Sequence, residues 1–380
     1  MVRKYELTDE TTTPWQDSVL YRIKAVRDFG DVKAGDLGGY IASEENLSHD
    51  DICWVYNNGM VAEHAKVYGA AKIHDTALVA GNSEVCGDAE LFNNSFVSDT
   101  ARIYGKAKML SGEASGNAQV HGHCTISGSA IITGNAEMYD NAEINGAVEV
   151  GGDARVYGSC IITGNAYVYD SARIYGNARV YEHARVYNHA EVYGNTKIYG
   201  HAKISGNASV YDHAEVYGGS LCRGGCIHGD AKVYDDAHVY SGADIYSHAE
   251  VYGQANIYGR VCGSARVFGM ACVDTTASVI GNAMVLGDAK VVGVVSDGAY
   301  IENTDDILCM FPIEGTTEIG YVDKTWSYLT FYKGLKGEIY VNYDKWPGGI
   351  NLEEAKKMYN SDKYAKVFDA AITLAALQLG

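Results

Sequence analysis

A mainly β fold of stacked three-sided coils is predicted, on three observations. A six-residue period runs through most of the chain. Each period holds one β-branched residue and, four positions later, one small residue. Glycine, asparagine, aspartate, glutamate or histidine fills the places between. The clearest stretch, Arg179–Gly219, reads RVYEHA RVYNHA EVYGNT KIYGHA KISGNA SVYDHA EVYGG. Its β-branched residues are Val180, Val186, Val192, Ile198, Ile204, Val210 and Val216, and its small ones Ala184, Ala190, Thr196, Ala202, Ala208 and Ala214.

A period of six does not fit a helix of 3.6 residues per turn. Alternation does survive within each unit. With the β-branched position called i, positions i+4 and i point inward while i+5 and i+1 point outward, which is a short half-buried strand. Positions i+2 and i+3 form a corner, where Gly, Asn and Asp tolerate left-handed backbone angles. Three sides close a coil of eighteen residues whose narrow interior takes only Val, Ile and Ala. Successive coils then pair in parallel at about 4.8 Å.

The inward position runs in sixes from Val55 to Met109, Ala114 to Val216, Leu221 to Ile257 and Val261 to Val291, ending at Ile301. The joins at Met109–Ala114 and Val216–Leu221 are one residue short, and those at Ile257–Val261 and Val291–Ile301 two short. No join gains residues, so no loop is extruded. The array amounts to about 14 coils at three sides each. Every third outward i+1 position gives Tyr68, Cys86, Tyr104, His121, Tyr139, Tyr157, Tyr175, Tyr193, Tyr211, His228 and Tyr246, a bulky face. A second face, from Ala62 and Ala80 through Ser98, Ser115, Thr133 and Gly151, is small.

The hexapeptide pattern resembles the hexapeptide-repeat family, whose members form single-stranded left-handed parallel β-helices. The segment YRIKAVRDFGDVKAGDLGGYIASEENLSHDDICWVY, Tyr21–Tyr56, resembles the N-terminal part of its YdcK-like branch, found in bacteria and bacteriophages. Three domains are expected: an N-terminal cap over 1–54, the β-helix over 55–301 and a small α+β domain over 302–380. In the cap, Leu20, Arg22, Lys24 and Val26 lie in a strand-like stretch, and Gly35, Gly38 and Gly39 are read as turns. In the last domain, Ile307–Pro312, Leu329–Lys333 and Glu338–Tyr343 read as strands. Leu352–Tyr359 and Lys363–Leu377 read as helices, with Asn351 and Ser361 as N-caps. Ala365, Val367, Ala370, Ala371, Leu374 and Leu377 form the apolar face of the second helix. The terminal module also resembles that of phage hexapeptide-repeat proteins.

The formal net charge is −18, with 48 acidic against 30 basic residues. The excess is spread along the chain, which argues against nonspecific nucleic-acid binding. The start MVRKYELTDETTT has no apolar h-region and no stretch reaches membrane-spanning length, so a cytoplasmic chain in a bacterial cell is expected, with no membrane partner. Nine cysteines without a disulfide framework fit a reducing compartment. CRGGC at Cys222–Cys226 lacks the four ligands that zinc requires, so no metal is expected.

The resemblance implies a homotrimer, in many members an acyl- or acetyltransferase in which a corner histidine acts as general base at an inter-subunit groove and acetyl-coenzyme A or another acyl-CoA lies along the β-helix. The small face would permit close side-by-side packing. Histidine suits base catalysis near neutral pH. The corner candidates are His123, His183, His201 and His213, with His64, His189 and His248 in equivalent slots. Asn117, Asn135, Asn165, Asn177, Asn195 and Asn207 fill the same slot, so the histidines also read as ordinary corner residues. Two functions stand side by side. One is a phage-type scaffold that uses no cofactor and holds a host protein or a small ligand, such as a nucleotide, on His121, Tyr139, Tyr157, Tyr175, Tyr193 and Tyr211, aided by Arg179 and Lys197. The other is the acyltransferase. The tyrosines read equally as a ladder that supports neighbouring coils.

Overall fold

The computed structural model describes residues 2–15, 18–296, 299–303, 307–310, 329–333, 339–343, 350–351, 372–373 and 377. It is a parallel β-solenoid with 43 short solenoid strands, from Trp54–Val55 to Tyr300–Ile301, which at three to a coil makes about fourteen turns. Two units are distinguished, Met1–Asn195 and Thr196–Gly380. The division falls inside the repeats, as expected where each coil touches only its neighbours.

The first unit opens with three strands, β1 (Tyr5–Thr12), β2 (Leu20–Ala25) and β3 (Leu37–Ile41). β1 pairs antiparallel with β2, and β2 with β3. β3 then runs parallel to Met60–Val61, so the cap continues one solenoid sheet. Val26 lies beyond β2 and is exposed. Gly35 turns, at φ +97°, but Gly38 and Gly39 do not. They lie within β3, and a Cβ on Gly39 would sit 2.3 Å from the Gly59 carbonyl oxygen. Their lack of a side chain serves close backbone approach.

Buried polar groups finish the end of the stack, where the first coil would otherwise leave carbonyls unpaired. Asn46 donates from Nδ2 to the carbonyls of Glu63 and Ala65, at 3.0 and 2.8 Å, and accepts the Ser43 N–H on Oδ1 at 2.7 Å. The ammonium of Lys4, fully buried, donates to the carbonyls of Asp51 and Cys53, each at 2.8 Å.

Beyond the cap the expected geometry holds. Arg173–Ile174, Arg179–Val180 and Arg185–Val186 pair respectively with Arg155–Val156, Ile161–Ile162 and Tyr167–Val168, so three consecutive sides enter three different sheets. The i and i+4 residues are buried throughout, with Val, Ile and Ala filling the bore. Each buried Val or Ile contributes about 1.5–3 kcal/mol relative to exposure. Corners are tied from coil to coil. Asp170 sits at φ 58°, and its carboxylate accepts the backbone N–H of Asn188, eighteen residues on, at 3.0 Å. Asp99 and Asp140 accept in the same way from Gly116 and Gly158. Where Asn fills the corner, amides form a ladder, from Asn117 to Asn135 and from Asn135 to Asp153, both at 2.9 Å.

In the second unit Ile198 pairs with Val216, as stacked inward positions must. One expected register is corrected. Ile204 pairs with Cys222, and Cys222 is buried, whereas Leu221 points partly outward. The shortened corner therefore lies after Cys222, at Arg223–Gly225, with Gly224 at φ +89°. A one-residue slip exchanges inward and outward faces, so Arg223, not Cys222, occupies the outward slot.

The last solenoid strands of this unit are followed by a four-stranded antiparallel sheet, Ile307–Met310, Leu329–Lys333, Ile339–Tyr343 and Ile350–Asn351. Tyr332 is buried, its hydroxyl 2.6 Å from Ser296 Oγ. Asn351 ends a strand. The proposed helix 352–359 and Ser361 lie outside the described residues. Ile372, Thr373 and Leu377 are helical, as expected for 363–377. Ile372 is buried but Leu377 is 78% exposed, so Leu377 is not on the apolar face.

Candidate functional site

Outward side chains at i+1 line up because parallel pairing places equivalent residues one coil apart. In the first unit Tyr104, His121, Tyr139, Tyr157, Tyr175 and Tyr193 form a continuous stack. Neighbouring ring centroids are 4.6–5.3 Å apart and planes lie within 12°. Burial pushes the hydroxyls of Tyr139 and Tyr157 up from their ordinary pKa, and that of Tyr175 to about 12, so all three remain protonated donors. The ring faces are covered by one another. A planar ligand stacked between two rings needs them about 7 Å apart, twice the van der Waals contact distance. This stack therefore offers edges and hydroxyls to a ligand, not faces.

A charged row at i−1 runs beside it on the same sheet and is internally paired. Arg102 lies 3.0 Å from Glu84, Arg155 3.5 Å from Glu137 and Arg173 3.1 Å from Glu191. His121 Nε2 is 3.5 Å from Glu137. Arg179 is on a different sheet, paired with Ile161, so it does not stand beside these tyrosines. His123 and His183 are exposed corner residues in this unit.

The small face is partly occupied by the chain itself. Ala62 and Ala80 are buried beneath Leu20, with Trp15 packed against them. Gly151 is buried under the ring of Tyr169.

In the second unit Tyr211, His228 and Tyr246 stack at 4.6 and 5.1 Å. Lys197 belongs to another sheet from Tyr211 and pairs with Glu215 at 2.7 Å. That sheet carries its own stack, Tyr199, Tyr217, Tyr234, Tyr252 and Phe268. Taking every third outward position across the shortened corners would have found it in the sequence.

His201 is an exposed corner residue. On the next corner His213, Asp230 and His248 come together. Asp230 Oδ1 is 3.9 Å from His213 Nδ1, and its Oδ2 is 3.4 Å from His248 Nε2. Adjacent to it His228 lies between Asp244, 3.1 Å from Nε2, and Asp212, 3.9 Å from Nδ1. Sequence reasoning named His213 and His248 among the corner histidines but missed Asp230, which fills the same corner slot in the coil between them. Cys222 is a core thiol pushed up to about 12 by burial. Among the described residues no group of three or more His, Cys, Asp or Glu is placed to hold a metal ion. Among them, too, no helix is long and apolar enough to cross a membrane.

Residues 172–188 match the family model described as YdcK Beta solenoid repeat. The match spans about one coil of the solenoid. The chain is also 32% identical over 94 residues to the "Uncharacterized acetyltransferase YdcK" of Escherichia coli (strain K12). The alignment covers 23% of this chain and 27% of that protein, so the chain spans little more than a quarter of that relative's length.

Proposed function

We propose that this YdcK-like solenoid transfers an acyl group from an acyl-coenzyme A thioester to a nucleophilic acceptor, with His213 as general base. The observation that carries the reading is the Asp230 carboxylate set between His213 and His248 on one corner. A carboxylate 3.9 Å from Nδ1 is too far to hydrogen-bond, but its charge favours the imidazolium formed during proton transfer. In this proposal the other ring nitrogen, Nε2, acts as the base. It takes the proton of an acceptor amine or hydroxyl as that atom bonds to the thioester carbonyl carbon. The C–S bond breaks, and the proton passes to the departing thiolate. The partial likeness to a protein named an acetyltransferase supports this reading.

Calorimetric titration with acetyl-coenzyme A, with thiol release followed in the presence of amine and sugar acceptors, tests it. Wild type binds and releases thiol. His213→Gln retains binding and loses about 10²–10⁴-fold in rate, the usual contribution of a general base. Neither binding nor thiol release from the wild type would overturn the proposal.

A second reading has an observation of its own. On the small-residue sheet of the first unit, Ile131 and Tyr167 are each about one-third exposed, with the Arg185 guanidinium over the Tyr167 ring. That favours a solenoid that holds a protein or small ligand, in a bacterial cytoplasm and as a homotrimer, without catalysis. Sedimentation giving only monomer removes the trimer. Replacing Tyr139, Tyr157 and Tyr175 with Ser abolishes capture if their edges form the site, and lowers only thermal stability if they do not.

A further inference from the structure

We infer that His49 is a pH-sensitive latch that holds the first strand of the cap on the end of the solenoid. Its Nδ1 accepts the backbone N–H of Lys4 at 3.3 Å, so the proton of the neutral ring resides on Nε2. The ring stacks on Tyr5, centroids 4.2 Å apart and planes 23° from parallel. Its side chain is only 10% exposed, and Nε2 is buried without a hydrogen-bond partner. Glu44 Oε2 stands 3.8 Å from Nε2, beyond hydrogen-bond reach.

Protonation has one geometric consequence. The imidazolium carries hydrogens on both nitrogens, so Nδ1 turns from acceptor to donor and meets the Lys4 N–H head on. That amide is then left buried and unpaired beside a desolvated charge, and the local way out is for β1 to lift from the cap. Tyr5, the first residue of β1, and Lys4, just before it, both lie in the interior. The strand's departure therefore also withdraws the ammonium from the carbonyls of Asp51 and Cys53, and the Tyr5 hydroxyl from the Leu47 carbonyl at 2.8 Å.

The groups facing the ring divide in sign. From the segment just before β1 come Lys4 and Arg3, which oppose protonation. Arg27 reaches the His49 carbonyl at 3.5 Å. Glu44, from the turn before His49, favours protonation, but it is bound to Arg3 at 2.9 Å and is 38% exposed. Asp51 and Cys53 lie behind Lys4. Burial is the largest influence and lowers the pKa of His49, with Glu44 opposing and Lys4 and Arg3 assisting. The folded cap thus binds the proton less well than the open one. The latch holds above about pH 6.5, the unperturbed value. Below it the latch weakens by up to about tenfold per pH unit, until the folded-state pKa is passed.

Hydrogen exchange on the full chain tests this, read as the protection factor of the Lys4 amide, which removes the intrinsic pH dependence of exchange. Protection is expected to fall between pH 7.5 and 5.5, by up to about tenfold. In His49→Asn the amide oxygen takes the place of Nδ1 and cannot titrate, so protection stays level across that range. Imidazole titration of the wild type by NMR is a separate readout that needs no variant. A His49 that titrates at or above about 6.5, or an asparagine variant with the same fall in protection, overturns the inference.

Discussion

A side chain pointing into the bore has alanine, valine or isoleucine above and below it and no route to relax sideways. Removing the buried Ile144 side chain beyond Cβ, as in Ile144→Ala, should therefore cost about 2–5 kcal/mol, measured by denaturant unfolding. Three of the bore residues are cysteines, and burial pushes the thiols of Cys124, Cys160 and Cys222 up to about 12. They stay protonated at neutral pH, and iodoacetamide should label none of them in the native protein, whereas all three react after unfolding. Mass spectrometry of the labelled peptides decides this. Legibility at this scale was high wherever the spacing was even, and it failed at Leu221. Leucine is the better core residue than cysteine, and both stand near a shortened corner. Only the pairing with Ile204 shows which one faces inward.

At the scale of an element, the stacks and the cap follow different rules. A ring in the middle of a stack has two neighbours. Tyr157→Ala should lose both contacts, to Tyr139 and Tyr175, at about 0.2–1 kcal/mol each. Substitution at the terminal ring Tyr104 should cost less, because it forfeits one such neighbour, His121. Thermal melting of the two variants compares them. The cap depends on paired buried polar groups. Lys4→Met would preserve the length of the side chain but leave the Asp51 and Cys53 carbonyls without their donor, at about 1–3 kcal/mol for each buried group left unpaired. The loss should appear as faster exchange of the β1 amides, with bore amides unchanged. The glycines of β3 were misread from the sequence because glycine marks both turns and close approaches. Nothing local in Asp36–Tyr40 tells one from the other; the Gly59 carbonyl that excludes a Cβ is twenty residues away.

For the molecule as a whole, phase is what the repeats conserve. Deleting Asn165–Glu182 removes eighteen residues, one full coil, and should leave every later side on its original sheet. The chain should fold and keep its aromatic stacks, visible in near-ultraviolet circular dichroism. Deleting only Asn177–Glu182 removes one side and rotates all later faces by a third of a turn. Tyr175 and Tyr193 can then no longer stack, and stability should fall further than in the longer deletion. The fold was legible because one rule repeats along the chain. The candidate site was legible only in part, because the corner slot accepts His, Asn and Asp alike. Which of them meet across coils depends on side-chain direction. Arg179 and Lys197 looked adjacent to the tyrosines along the chain, yet six residues are enough to carry a side chain onto another sheet.

The spacing of the backbone hydrogen bonds bears on how such a chain is made. The N–H of Tyr139 donates to the carbonyl of Val156, and that of Tyr157 to Ile174, and this separation recurs along the array. No bond of this kind waits for a distant part of the polypeptide. As a ribosome releases the chain, each newly emerged coil finds its partner already in place. The entropic cost of closing each loop stays the same from the first turn to the last. Lengthening the array should therefore leave the rate of adding a turn unchanged.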